Sequence, residues 1–279
     1  LFEEAMKEEI ERMMDNDIFD EVKRTSVPRH QRILRAVWSH RRKTTPSGEI
    51  YRHRSRLCVD GSQQQYGIDF TETYSPVVSW TTVRLLLILS VILKLKTRQV
   101  DYVQAFPQAK LPEGENVYME IPPGYNVNGK TKEFCLKLKK NLYGLKQASF
   151  NWSQMLKAGL ERCGFKQSQH DPCLYLKNNV ICCVYVDDTL FLAKNDKDIN
   201  HVINQLKELN FELTDEGDVE AFLGVKVDKS KDGEITMTQP ELTNRVIEAL
   251  GLNDKSTPHK TPAVGPPLQA YEDAAEREQ

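Results

Sequence analysis

Two adjacent aspartates, Asp187 and Asp188, interrupt the apolar stretch "ICCVYVDDTLFLA". Neighbouring carboxylates repel, and each is costly to take out of water. The apolar runs on either side read as the strands of a β-hairpin whose turn is Asp-Asp. Two-residue hairpin turns favour Asn-Gly or Asp-Gly, so this turn is not built for local stability. Residues that break a local rule are candidates for function. A third acid, Asp101, lies in a similar setting between Val100 and Tyr102 in "RQVDYVQAF". A strand aspartate with apolar neighbours is uncommon unless it is paired or metal-bound. Three carboxylates from two strands suit a pair of divalent cations. Magnesium takes hard oxygen ligands and is usually held by one or two carboxylates plus substrate phosphates. Two such ions clamp the attacking and leaving oxygens of an in-line displacement at phosphorus. Polymerases and nucleases share that chemistry, and the spacing alone does not choose between them.

The elements that must carry these acids are legible from periodicity. Residues 1–14 repeat apolar positions at helical spacing and end at Asn16 and Asp17. Residues 33–60 read as a hairpin turning at "TPSGE", and Ser79–Lys96 as a helix opening at a Ser/Thr cap. "TRQVDYVQAF" is a strand leading into a turn near Pro107, and short strands follow at Val117–Ile121 and Phe134–Leu138. Gln147–Phe165 is a helix closed by Gly164. Strands at Cys173–Leu176, Ile181–Val186 and Thr189–Ala193 precede a helix at Asp196–Phe211 capped by Asp196. Phe222–Pro240 reads as a hairpin around "KDG", followed by a last helix near Glu241–Leu250. With no regular βαβα alternation, the fold class is α+β with an antiparallel sheet.

A chain of 279 residues, 39% hydrophobic and 28% charged, is expected to be soluble and globular. Its longest apolar run, "LLLILSVIL", is too short to span a bilayer, so no membrane partner is expected. The net charge of −2 gives no signal for nucleic acid. The local distribution does: from Arg29 to Arg56 there are nine Arg or Lys residues and one acid, Glu49. The six cysteines form no Cys-x-x-Cys pair and read as buried thiols in a reducing compartment. Residues 253–279 carry four prolines and few large apolar residues, the composition of a linker or tail.

The chain resembles the reverse transcriptase domain of copia-type LTR retrotransposons. "YVDD" in "VYVDDTLFLA" resembles that family's Tyr-x-Asp-Asp signature. "LKKNLYGLKQASFNW" and "QVDYVQAF" resemble two further blocks, the second holding the first catalytic aspartate. "RSRLCVDGSQQQYGIDFTETYSPVVSWTTVRLLL", "VYMEIPPGY", "GFKQSQHDPCLY" and "FLGVKV" follow the family's order over nearly the whole chain. The resemblance implies a right-hand polymerase fold over residues 1–252, with fingers, an antiparallel palm sheet, a primer-grip hairpin and a partial thumb. It implies a nucleotidyltransferase that adds dNTPs to a primer 3′-hydroxyl on an RNA or DNA template. Asp101, Asp187 and Asp188 match the catalytic, metal-binding acids, with two Mg2+ ions as cofactor and Mn2+ as a substitute.

By the same resemblance, Arg54, Arg56, Phe106, Lys146 and Gln147 contact the incoming nucleotide. Phe106 stands where related polymerases place an aromatic gate against a ribose 2′-hydroxyl. Tyr143, Gly144, Tyr185, Leu223 and Gly224 contact primer and template, with Gly144 allowing a backbone to approach the base pair. Pro107, Val37 and Ser149 depart from the family's usual Leu, Lys and Pro, and Arg54 from its usual Lys. Integrase and ribonuclease H domains are expected elsewhere in a polyprotein. A dimer and a cytoplasmic virus-like particle are compatible with such an enzyme. Two other readings stay open: a decayed copy that binds nucleic acid without polymerising, and a metal-dependent nuclease, which leaves the ordered blocks unexplained.

Overall fold

The helical repeat at the N-terminus forms α1 (Phe2–Asp15), stopped by Asp17 at φ 53°. The computed structural model describes residues 2–44, 49–127, 130–230 and 234–252. After α1 come β1 (Phe19–Lys23), β2 (Ile33–Leu34), β3 (Ala36–Thr44), β4 (Ile50–Val59) and α2 (Trp80–Ile92). Next are β5 (Lys96–Tyr102), the single turn α3 (Ala105–Gln108), β6 (Val117–Met119), β7 (Phe134–Leu138) and α4 (Ala148–Arg162). The chain continues through β8 (Lys166–Gln167), β9 (Leu174–Lys177), β10 (Val180–Tyr185), β11 (Asp188–Ala193) and α5 (Asp196–Glu208). It closes with β12 (Leu213–Gly217), β13 (Ala221–Phe222), β14 (Val225–Lys229), β15 (Ile235–Thr238) and α6 (Pro240–Ala249). The expected turns at residues 45–48 and 231–233 and the tail at 253–279 lie outside the described residues. Among the described residues, no helix is long and apolar enough to cross a membrane.

A mixed α+β fold is thus observed. Its main sheet is antiparallel, in the order β12-β5-β11-β10-β9-β8. Strand alternation sends Phe191 and Ala193 to one face, where Trp152, Leu156 and Leu160 of α4 and Ile199, Val202 and Leu206 of α5 pack. Leu190 and Leu192 point to the other face, against Val83, Leu86 and Leu87 of α2 and against Phe222 and Val227. Each of the larger aliphatic side chains among them contributes about 1.5–3 kcal/mol by leaving water. Arg98 of β5 bridges Asp196 of α5 and Asp215 of β12 at 2.7 and 2.8 Å, tying both neighbours to the central strand. A second sheet, β1-β7-β6-β2, shares its core with α1 and with Leu57 and Val59 of β4.

Three expectations need correction. The α5 cap is Asn195, whose Oδ1 accepts the Asp198 N–H at 3.0 Å; Asp196 lies in the first turn and spends its carboxylate on Arg98. The segment from Phe222 holds two hairpins, because Leu223 (φ 53°) and Gly224 (φ 76°) already turn β13 into β14. Paired positive φ angles are the geometry of a type I′ turn. The Asp-Asp turn is also displaced. Tyr185 pairs with Asp188, so the turn is Val186–Asp187 and Asp188 opens β11.

Candidate active site

Asp101 and Asp188 face each other across β5 and β11. Directly opposite residues on one face of an antiparallel pair have Cβ atoms about 4.5–5.5 Å apart. Asp187 occupies the adjoining turn, and its carbonyl accepts the Tyr102 N–H at 3.3 Å. Two strands and one turn therefore bring together the three acids expected from the sequence. Burial, then the charges of Asp187 and Asp101, push the Asp188 carboxyl up to about 6. Burial, Asp187 and Glu216 push Asp101 upward as well, while Arg54 and Arg56 pull it back. The acids repel one another, and Arg54 and Arg56 offset part of that repulsion at Asp101.

The turn that presents Asp187 is strained. Val186 has φ 55°, a left-handed conformation that is a true outlier for a β-branched residue. Such strain costs on the order of 1–3 kcal/mol and persists only where the surroundings impose it. Here the indole Nε1–H of Trp152, on α4, donates to the Val186 carbonyl at 2.6 Å. Trp152→Phe is expected to lose that bond, at about 1–3 kcal/mol for the unpaired carbonyl, and to leave a void in the core that adds to the loss. Thermal denaturation should show the loss. Nucleotide incorporation should fall more than binding of template-primer, because the displaced atoms are the turn's.

Across from the acids lies the β3–β4 hairpin. Arg54 and Arg56, two residues apart on β4, share a face, and both charges reach Asp101. The Arg56 guanidinium sits 4.5 Å from the centre of the Tyr143 ring. Tyr143 in turn packs on Phe106 with ring centres 5.2 Å apart. Phe106, on α3, is five residues beyond Asp101 and packs between the cores of the two sheets. Guanidinium groups bind phosphate oxygens through paired donors, so this face suits a polyphosphate held above the carboxylates.

The remaining expected residues fall in two places. Tyr185 and Leu223 pack against the same apolar cluster beneath α2, so the Leu223–Gly224 turn lies on the Asp188 side of the sheet. Lys146 and Gln147 join a clasp with the loop after β4. The Gln147 side chain is buried, accepts from Gln64 Nε2 at 2.9 Å and donates to the Asp69 carbonyl at 2.8 Å. Lys146 lies 5.0 Å from the Phe70 ring centre and takes Gln64 Oε1 on its backbone N–H. Gly144 has φ 91°, and a Cβ there would meet the Val59 carbonyl oxygen at 2.0 Å. Its missing side chain admits the β4 backbone.

Sequence reasoning missed Trp152, Gln99 and Glu216. Gln99 hydrogen-bonds the Asp188 carboxyl, and its position two residues before Asp101 on the same face was the available signal. Glu216 sits at an irregularity where Asp215 and Gly217 pair with Val100 and Gln99, and its charge acts on both Asp101 and Asp188. Nothing in the local pattern foretells a bulge there.

Residues 16–265 match the reverse transcriptase (RNA-dependent DNA polymerase) family. The chain belongs to that family. This reverse transcriptase domain is 33% identical over 94% of its length to the retrovirus-related Pol polyprotein from transposon TNT 1-94 of Nicotiana tabacum. It is 33% identical over 82% of its length to that from transposon RE1 of Arabidopsis thaliana. A putative transposon Ty5-1 protein of Saccharomyces cerevisiae is 32% identical over 44% of the domain and 41% of its own length. The domain spans 20% of the tobacco polyprotein and 16% of the Arabidopsis one. It is a copia-type reverse transcriptase domain.

Among the described residues, no group of three or more His, Cys, Asp or Glu side chains forms a ready-made metal cage. Magnesium does not require one, since it keeps waters and shares its sphere with substrate phosphates. Asp101, Asp187 and Asp188 supply hard oxygens of the kind such an ion takes, without a preformed three-ligand group.

Proposed function

We propose that this chain extends a primer 3′-hydroxyl with deoxynucleotides on an RNA or DNA template, with Asp101, Asp187 and Asp188 holding two magnesium ions. The observation that carries the reading is the cross-strand pairing of Asp101 with Asp188 beside the Asp187 turn. When bound, the ions would lower the pKa of the primer hydroxyl and offset charge on the leaving pyrophosphate. Arg54 and Arg56 grip the triphosphate, with Tyr143 stacking Arg56 in place. Phe106 excludes a ribose 2′-hydroxyl. Lys146 borders the nucleotide, and Gln147 acts through its clasp to hold the Tyr143–Gly144 turn. Tyr185, Leu223 and Gly224 contact primer sugar and phosphate, which position without reading sequence.

In this reading the six-stranded sheet is the palm, and the β1-β7-β6-β2 sheet with the β3–β4 hairpin forms the fingers. The β13–β15 hairpins grip the primer and α6 opens the thumb. Residues 1–252 make the polymerase core, and residues 253–279 have the composition of a linker or tail. A primed RNA template with dNTPs and magnesium tests the activity. Extension that stops on chelation is expected, and degradation of the template in place of extension would replace this reading with a nuclease. Phe106→Val is expected to admit ribonucleotides, and unchanged discrimination would remove the gate.

A further inference from the structure

Glu9 is a carboxylate with 6% of its surface exposed, on a helix far in sequence from every residue of the proposed mechanism. Its Oε2 accepts from Gln104 Nε2 at 3.0 Å, inside the protein. Its carboxylate also takes a backbone hydrogen bond from Leu57 of β4. The two contacts lie on opposite halves of the nucleotide pocket. Leu57 follows Arg56 directly. Gln104, in a left-handed conformation at φ 48°, opens the turn that carries Phe106.

On the same strand, the Val59 N–H is taken by the Tyr143 carbonyl at 2.8 Å. The edge of β4 not paired with β3 is thus pinned at Leu57 by Glu9 and at Val59 by the Tyr143 turn. A cavity of about 350 Å³ adjoins this edge, between α1 and β4, lined among others by Glu9, Arg12, Arg54 and Val103. The packing between α1 and residues 52–55 of β4 is therefore not solid, and polar contacts there set the spacing of its walls. Burial raises the Glu9 pKa, while the charges of Arg12, Arg54 and Arg56 lower it, which places three guanidinium groups around one carboxyl.

We infer that Glu9 is a positioning residue for the incoming nucleotide: its carboxylate fixes the separation between the arginine strand and the turn bearing Phe106. The inference rests on the reading of Arg54 and Arg56 as triphosphate ligands. Only one substrate contact surface is affected, so the expected signature is selective. Glu9→Ala should raise the KM for dNTP about tenfold, since small misplacements in a binding site cost that much or more. Its kcat at saturating dNTP and its Kd for template-primer should stay within about twofold. Glu9→Gln, which keeps an oxygen acceptor for Leu57, should restore most of the KM.

Steady-state incorporation by the full chain, with dNTP and template-primer varied separately, reads all three quantities. Gln104→Met removes one of the two bonds without touching α1 and should give a smaller rise in KM. That variant also decides the matter if Glu9→Ala fails to fold. An unchanged KM in both, or a kcat and template-primer Kd that worsen in step with KM, overturns the inference. Arg56→Ala, measured alongside, separates the two levels. If it raises KM and Glu9→Ala and Gln104→Met do not, only the inference fails. If Arg56→Ala leaves KM unchanged, the triphosphate reading fails and the inference with it.

Discussion

Asp188→Asn is expected to abolish nucleotide incorporation while making the metal-free protein more stable. The first effect follows from removing one of three acids that share the cation site. Losing several kcal/mol of transition-state stabilisation at tenfold per 1.36 kcal/mol means a drop of roughly a thousandfold or more. The second follows from the raised pKa. In the folded state Asp188 titrates near 6, against 3.8 for an ordinary aspartate. Between those values the folded protein binds more protons than the unfolded chain, so this group's contribution falls as pH rises through the window. Above pH 6 the full penalty is present. At about 1.4 kcal/mol per unit the ceiling is near 3 kcal/mol, and screening at this half-buried strand end reduces it to about 1–2 kcal/mol. Chemical denaturation at pH 7.5 and pH 4.5 without metal should show Asp188→Asn ahead of wild type at the higher pH and by only about a third as much at the lower. Equal stability at both would mean that the repulsion within the cluster is relieved by the chain itself.

Gly144→Ala is expected to be the most damaging single methyl group near the site. The added Cβ would lie 2.0 Å from the Val59 oxygen and 3.1 Å from its carbonyl carbon, both backbone atoms that cannot rotate away. The residue also sits at φ 91°, where an alanine is strained. Gly61 faces the same contact from the other side, since its own Cβ would meet the Gly144 oxygen at 2.0 Å. A loss of about 3–5 kcal/mol is expected, in the range reserved for backbone and overpacking effects. Because β4 carries Arg54 and Arg56, any surviving protein should bind dNTP more weakly. Gly67→Ala is the control: it shares a positive φ of 79° but has nothing within 4 Å, so only the strain of about 1 kcal/mol applies. Denaturation of the two variants side by side distinguishes collision from strain, and equal losses would contradict the tight seam.

The strands and helices were legible because their apolar periods are clear, and the acids because each breaks a rule that its neighbours obey. Asp101 stands out in an apolar strand, and Asp187 and Asp188 stand out in a turn without glycine. What sequence cannot express is a constraint imposed from a distance. The turn falls on Val186 because Trp152, 34 positions away, holds its carbonyl in a conformation that valine avoids. The role of Gly144 as a glycine was readable, but its partner was not, since Val59 meets it only through tertiary packing. Glu9 hides in the acidic run "KEEIER" and becomes exceptional only once α1 buries it against β4. The α5 cap moved by one residue because Arg98, from another strand, claims the Asp196 carboxylate.

The most direct test is single-nucleotide incorporation on a primed RNA template, comparing wild type with Asp187→Asn across a magnesium titration. The prediction is magnesium-dependent incorporation by wild type. Asp187→Asn should lose roughly a thousandfold in rate, with template-primer affinity within about twofold. An Asp187→Asn chain that incorporates nucleotide at a rate comparable to wild type would contradict the assignment of these acids as the polymerising centre.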